Sequence, residues 1–328
     1  MENKLKMIIG NGHLKLGIKV AKHLNAEIVN VKSGEFDNNE LRPTRESDVR
    51  NSDLFIFNSL HAHNGQRTIE ETEFLTSTCR ASANRITGVF PFLGYSKADH
   101  QKTYGESVSA KVIADRLSIC GLNHILLYDL HKSHIANYFN SFFNLKGVEH
   151  FYLMRQLIEY AQNKLKFDTI VGLDDGSYKR NSVIAKYVNC SDIAFVYKFR
   201  DPRNLKVVPK QSKVIGDVAG KNVVGFDDMI QSGGTLVTSA KILKQGGAKK
   251  VFLLIVHPDF NPKTFNAINP YLKDGTIDKL VVLDTIPIPD RKKWHKNLVI
   301  LDPSKLIAET IQHLHDGIPM RNLFLPIG

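Results

Sequence analysis

Cysteine is scarce in this chain: Cys79, Cys120 and Cys190 are the only three in 328 residues. They lie far apart and show no metal-ligand spacing, which excludes a disulfide framework and a zinc site. Long apolar runs are missing as well. A membrane-crossing helix needs ~18 or more consecutive apolar residues, and runs such as Val251–Val256 stop far short. The opening residues, MENKLKMIIGNG, lack the extended apolar region and small-residue cleavage site of a secretory signal. No arm or stripe interleaves Lys and Arg with aromatics, so nucleic acid is not the expected partner. A cytoplasmic, soluble chain without membrane attachment is expected.

What is present is ordinary globular composition with a basic balance. Hydrophobic residues make up 42% and charged residues 23%, with a net charge of +11, which excludes wholesale disorder. Scattered positive charge of this size favours polyanionic ligands, and phosphorylated small molecules above all. Nine short runs rich in Ile, Val, Leu and Phe read as strands: Lys6–Ile9, Leu54–Asn58, Ile86–Phe90, Ile125–Asp129, Thr169–Leu173, Ile193–Tyr197, Asn222–Phe226, Val251–Val256 and Leu280–Asp284. They are apolar at nearly every position, as strands covered on both faces are. Helical-period segments such as Ser107–Leu117 and Thr235–Gln245 alternate with them, so a parallel α/β sheet is expected.

A faint repeat suggests two halves. Ser109-Ala110-Lys111 and Ser239-Ala240-Lys241 each read as a helix start, and Gly121 to His131 matches Gly247 to His257 in spacing. The expected domains are residues 1–147 and 148–328, with the last helix free to pack on either. Lys198–Lys213 is the long stretch without a clear element; it is basic and carries Pro202 and Pro209. Long loops of that kind are usually functional.

The segment richest in chemistry is Asn222–Thr235, NVVGFDDMIQSGGT. An apolar strand runs into Asp227 and Asp228, and the loop Ser232-Gly233-Gly234-Thr235 then opens a helix. Backbone N–H groups at such a helix start can cradle a phosphate, with Ser232 and Thr235 adding hydroxyl donors. The two carboxylates can accept from vicinal sugar hydroxyls, directly or through metal-bound water. A sugar-phosphate site at strand ends follows from these residue types alone.

This segment resembles the phosphoribosyl-pyrophosphate (PRPP) motif shared by type I phosphoribosyltransferases and ribose-phosphate pyrophosphokinases. Gly88–Asp99, GVFPFLGYSKAD, resembles the pyrophosphokinases' ATP-binding segment; Asp129–His131 with Ile135–Phe139 resembles their metal-binding histidine region, and Val171–Arg180 their second metal segment. The resemblance runs from about Gly10 to the C-terminal helix. It implies two phosphoribosyltransferase-like α/β domains, the first binding ATP and the second ribose 5-phosphate. The implied reaction moves the β,γ-pyrophosphoryl group of MgATP to the C1 hydroxyl of ribose 5-phosphate, giving PRPP and AMP for nucleotide biosynthesis. Asp227, Asp228 and Ser232, Gly233, Gly234 and Thr235 would hold ribose 5-phosphate. His131 and Asp174 would bind Mg²⁺, and Lys198 and Arg200 match the catalytic pair. Lys97 and Asp99 would meet ATP, together with Phe36, Asn38 and Glu40 reaching over from a neighbouring subunit. A homodimer or larger assembly is therefore implied.

The chain departs from the family pattern at several positions. Lys97-Ala98-Asp99 stands where Arg-Gln-Asp is usual, Asn38 and Gln231 replace aspartates, and Pro258 and Asn261-Pro262 replace a glycine and a Ser-Gly pair. Gly105-Glu106 occupies the place of an arginine used for phosphate regulation in many bacterial members. An alternative expectation is a non-catalytic homologue that binds sugar phosphate or an active partner.

Overall fold

The structure is a computed structural model and describes residues 4–61, 65–139, 145–199, 208, 211–261 and 263–323. The chain divides into two compact units. One takes the residues up to Tyr152, with Thr285–Pro287 and the stretch from Asp302 on; the other takes Leu153–Asp284 and Ile288–Leu301. The chain changes unit after Tyr152 rather than at 147, because Gly147–Phe151 pairs in parallel with His124–Tyr128 and extends the first sheet.

The first unit opens with β1 (Lys4–Ile9), α1 (Leu14–Leu24) and the short β2 (Glu27–Ile28). A small antiparallel ribbon follows, β3 (Val31–Lys32) with β4 (Thr44–Arg45). Then come β5 (Ser52–Phe57), α2 (Gly65–Ser77), β6 (Arg85–Phe90), α3 (Ser109–Ile119), β7 (His124–Tyr128) and β8 (Gly147–Phe151). The six-stranded sheet has the order β2-β1-β5-β6-β7-β8, and every pair is parallel. All six residues of β5 are buried, as a central parallel strand requires. Ile56, Phe90, Ile125 and Leu127 meet Ala114 and Leu117 of α3 in one apolar cluster.

The second unit runs α4 (Met154–Lys164), β9 (Thr169–Gly172), α5 (Asp175–Tyr187), β10 (Ile193–Tyr197), β11 (Lys213–Ile215), β12 (Asn222–Ile230) and α6 (Gly234–Gln245). It continues with β13 (Lys250–Pro258), α7 (Thr264–Lys273), β14 (Lys279–Leu283) and β15 (Leu298–Leu301). The sheet order is β11-β10-β9-β12-β13-β14-β15, parallel throughout except for β11 against β10. Val223, Val251, Leu253 and Leu280 pack with Leu236, Ala240 and Leu243 of α6. Gly225 lets β9 and β12 lie close: a Cβ there would stand 2.7 Å from Leu173 and 3.1 Å from the Val171 carbonyl oxygen.

The chain then returns to the first unit with α8 (Ser304–Asp316). This helix packs on α1, and Asp53, buried in β5, accepts from His315 at 2.7 Å and from Nε and Nη2 of Arg85. Arg85 also reaches the Leu314 carbonyl at 3.0 Å. A carboxylate inside an otherwise apolar strand is thus matched by two partners, as burial demands.

The mainly parallel α/β architecture agrees with the sequence expectation, and each of the nine expected strands overlaps an observed one, four of them running one residue past its end. The repeat holds in part. Gly121 and Gly247 both take positive φ, 114° and 90°, just past the ends of α3 and α6. Ser239 does not open a helix, however; α6 begins at Gly234, so Ser239–Lys241 lie in its interior.

Candidate active site

In the second unit the site is built at the C-terminal end of β12. The strand does not stop at Phe226 but continues to Ile230, kept in register by β13 (Met229 opposite His257, Ile230 opposite Pro258). Asp227 and Asp228 are therefore strand residues, and the Asp228 N–H donates to Asp227 Oδ1 at 2.9 Å. Asn181 of α5 fixes the strand just before them: its amide donates to the Phe226 carbonyl at 2.9 Å and accepts from the Phe226 N–H at 3.0 Å. One turn of logic earlier, Asp174 caps α5. Its Oδ1 accepts from the Ser177 N–H at 2.8 Å while Ser177 Oγ accepts from the Asp174 N–H at 3.0 Å, a reciprocal cap.

That helix carries a residue whose role sequence reading missed. Arg180 donates from one Nη1 to Asp227 at 3.0 Å and to Asp228 at 3.2 Å. Burial, the charge and hydrogen bond of Asp228, and the charge of Asp174 push the Asp227 carboxyl well above the usual carboxylate range, and Arg180 opposes them. The available signal was Arg180 six residues after Asp174 on one helix, but neither residue's spacing to Asp227 could be read from the chain.

The phosphate-loop candidates follow directly. Gly233 precedes α6 with φ 79°, and a Cβ there would come within 2.6 Å of Ile268. Gly233 is needed on both counts, since left-handed backbone favours glycine. No side chain caps this helix start, and Ser232, Gly234 and Thr235 are exposed there. Uncapped first-turn N–H groups at an exposed helix N-terminus are an anion-binding arrangement. Lys198, 6% exposed, brings its Nζ to 3.4 Å from the Thr235 carbonyl. Lys198, at the start of the basic stretch, is thus tucked against the helix start. Arg200 lies outside the described residues, as does most of Lys198–Lys213.

In the first unit, Lys97 and Asp99 lie on the loop after β6, and His131 follows β7. Asp99 is 2% exposed; its Oδ1 faces His100 Nδ1 at 2.8 Å and its Oδ2 faces His134 Nε2 at 3.3 Å. Burial acts to raise its pKa, but the His100 hydrogen bond, its own backbone N–H and the charges of His100 and His131 outweigh that and hold it low. Tyr138 Oη donates to the Asp99 carbonyl at 2.5 Å. Asp99 and His131 are thus brought into electrostatic reach. Phe36, Asn38 and Glu40 form a separate exposed turn. The Phe36 N–H donates to the Glu40 carbonyl at 2.9 Å, Asn38 Oδ1 accepts from the Glu40 N–H at 3.2 Å, and Arg42 covers the Phe36 ring at 5.0 Å. Where the regulatory arginine was expected missing, Glu106 binds the Lys102 and Thr103 N–H groups and closes its own loop.

Comparison with known proteins decides the lineage. Residues 5–121 match the model of the N-terminal domain of ribose phosphate pyrophosphokinase, and residues 196–325 match the phosphoribosyl synthetase-associated domain. The chain belongs to the ribose-phosphate pyrophosphokinase family. A ribose-phosphate pyrophosphokinase from Buchnera aphidicola is 33% identical over 321 residues, covering 98% of both chains. One from Nostoc sp. is 30% identical over 323 residues, covering 98% of this chain and 94% of the relative. The crystal structure of the Mycobacterium smegmatis phosphoribosylpyrophosphate synthetase superposes with a TM-score of 0.85 at 26% identity, over 96% of this chain and all of that one.

Proposed function

We propose that the chain catalyses ATP + ribose 5-phosphate → PRPP + AMP, using the strand-end residues of its two units. The observation that carries this reading is the complete strand, Asp227-Asp228, Gly-Gly loop and uncapped helix start, in a family member matched along almost its whole length. The first turn of α6 takes the 5-phosphate, with the Ser232 and Thr235 hydroxyls adding donors. Asp227 and Asp228 accept from the ribose hydroxyls, and Arg180 holds the pair in place. Lys198, with its amine beside the Thr235 carbonyl, and Arg200 place positive charge where the transferring group carries its negative charge, the main task in phosphoryl-type transfer. In the first unit Lys97 meets the triphosphate as a point charge, and Asp99 lies beside it. Phe36, Asn38 and Glu40 offer an exposed ring and acceptors to the adenine of a neighbouring subunit, so the working unit is a homodimer or larger.

Among the described residues no three side chains gather into a metal cage, so Mg²⁺ would rest on few of them. The ion needs few protein ligands and keeps waters and substrate phosphates instead. Asp227 and Asp228 share one nitrogen of Arg180, and burial first, then the neighbouring charges of Asp228 and Asp174, raise the Asp227 carboxyl. His131 and Asp174 are each proposed as a Mg²⁺ ligand within their own unit, with Asp174 Oδ1 shared with its helix cap. When bound, Mg²⁺ supplies charge neutralisation of the polyphosphate. No described helix is long and apolar enough to cross a membrane, and a cytoplasmic location completes the reading.

The non-catalytic alternative differs in one measurable respect. Incubation with ribose 5-phosphate, Mg²⁺ and ATP, followed by chromatography, yields AMP and PRPP in equal amounts if the reading is right. Binding without AMP would make the chain a sugar-phosphate-binding homologue.

A further inference from the structure

The hairpin that joins β3 to β4 forms an arm on the first unit. Its rungs are Val31 opposite Arg45, Lys32 opposite Thr44 and a bridge between Glu35 and Leu41, and residues 35–40 are all exposed. The tip closes on itself, since Asn39, at φ 66°, donates its N–H to the Phe36 carbonyl at 2.8 Å. A cavity of about 130 Å³ lies between this arm and α2, lined by residues of both. Two polar tethers span the gap, and both lead back to α2. Arg67 pairs with Glu35, and its Nη1 lies 3.5 Å from the Asn39 carbonyl. Asn11 Nδ2 donates to Ser33 Oγ at 3.0 Å. Asn11 is itself held by Glu71, which accepts from its N–H at 3.0 Å and from its amide at 2.6 Å.

Stability does not account for the first tether. The Arg67 and Glu35 side chains are 40% and 50% exposed, and an ion pair so wet adds little to folding. Glu71 is the more demanding group: burial raises its carboxyl, and donors from Asn11 and Asn58 oppose that. A buried carboxylate that turns its acceptors mainly to one asparagine makes a fixed post for whatever that asparagine holds. We propose that Arg67 and Glu71 are positioning residues that hold the 33–41 arm in one direction, so that Phe36, Asn38 and Glu40 enter the neighbouring subunit's nucleotide site already ordered. The proposal rests on the reading of those three residues given above. An arm fixed in advance loses less freedom on binding. Its effect falls on the neighbour's site, not on the site of the subunit that carries it.

Steady-state kinetics of the full chain test it. Arg67→Ala should raise KM for ATP about fivefold to tenfold, with kcat and KM for ribose 5-phosphate within about twofold of wild type. Glu71→Gln, which sets an amide donor against the Asn11 donors, should act in the same direction. Exchanging the ion pair, Arg67→Glu with Glu35→Arg, should bring KM for ATP back to within about threefold of wild type. Oligomers purified through two tags, so that each holds Arg67→Ala and Lys198→Ala subunits, should regain a component with the wild-type KM for ATP. In them the Lys198→Ala subunit lends an ordered arm to the intact site beside it. A merely structural Arg67 would give neither the KM split nor this recovery. The proposal is overturned if Arg67→Ala keeps the wild-type KM for ATP while Phe36→Ala raises it, or if the mixed oligomers gain no such component. If Phe36→Ala also leaves KM for ATP unchanged, the reading of the arm falls, and the proposal with it.

Discussion

Arg180 shows how much of this site is decided by single residues. Two carboxylates on one short stretch of strand repel each other, and one guanidinium cannot cancel both. Replacing Asp227 by Asn should therefore raise the melting temperature of the ligand-free protein while weakening ribose 5-phosphate binding by about tenfold or more, the usual exchange of stability for function. The sign of the pH dependence follows. Asp227 titrates higher folded than unfolded, so its favourable contribution is present at pH values below the ordinary carboxylate range and is lost as pH rises through the raised value. Scanning calorimetry across that range should show a steeper fall for wild type than for Asp227→Asn. Cysteine supplies a second residue-scale test. Burial pushes the Cys120 thiol up to about 11 and raises Cys79 too. Since the thiolate is the reactive form, both should label slowly at pH 8 with an aromatic disulfide reagent until the protein is unfolded.

The helix start of α6 is the element proposed to hold the phosphate, and its two glycines differ. Gly233 has φ 79° and Ile268 at 2.6 Å from a would-be Cβ, whereas the nearest atom to one on Gly234 is Ser232 Oγ at 4.0 Å. Gly233→Ala should cost roughly 1–3 kcal/mol, from strain at a left-handed position and crowding, and should weaken ribose 5-phosphate binding. Gly234→Ala should leave the melting temperature nearly unchanged. Thermal melts with and without ribose 5-phosphate separate the two. The sequence signal for this element was strong because apolar run, acidic pair and Gly-Gly lie side by side in the chain. The nine buried strands were equally legible, since parallel strands covered on both faces are nearly continuous apolar runs. Strand β8, GVEHF, carries Glu149 and His150 and is half-buried, so it does not stand out in the sequence; β15, LVIL, is a short apolar run at the sheet edge that sequence reading missed despite its pattern. What stayed hidden were pairings between distant positions: Arg180 with Asp227, and Lys198 with Thr235. Each is set by which strands become neighbours, and the chain's local pattern does not carry that.

At the scale of the whole molecule, the chain returns to its first unit at the end. Helix α8 is held there by His315 and the Leu314 carbonyl, which share the Asp53–Arg85 pair. Removing one partner of a buried ion pair leaves the other uncompensated, so Asp53→Ala should destabilise by about 3–5 kcal/mol, read as a lower denaturation midpoint. Assembly belongs to this scale too: sedimentation should show at least a dimer, with Phe36→Ala raising KM for ATP. The central claim, however, is catalysis of pyrophosphoryl transfer with Lys198 acting on the transferring group. Steady-state release of AMP from ATP and ribose 5-phosphate, compared between wild type and Lys198→Ala, tests it most directly. The account predicts AMP and PRPP in equal amounts from the wild type, and a kcat lower by about 10²-fold or more in the variant with KM for ribose 5-phosphate changed by less than about threefold. Wild-type protein that forms no AMP, or a variant that keeps its kcat, would contradict it.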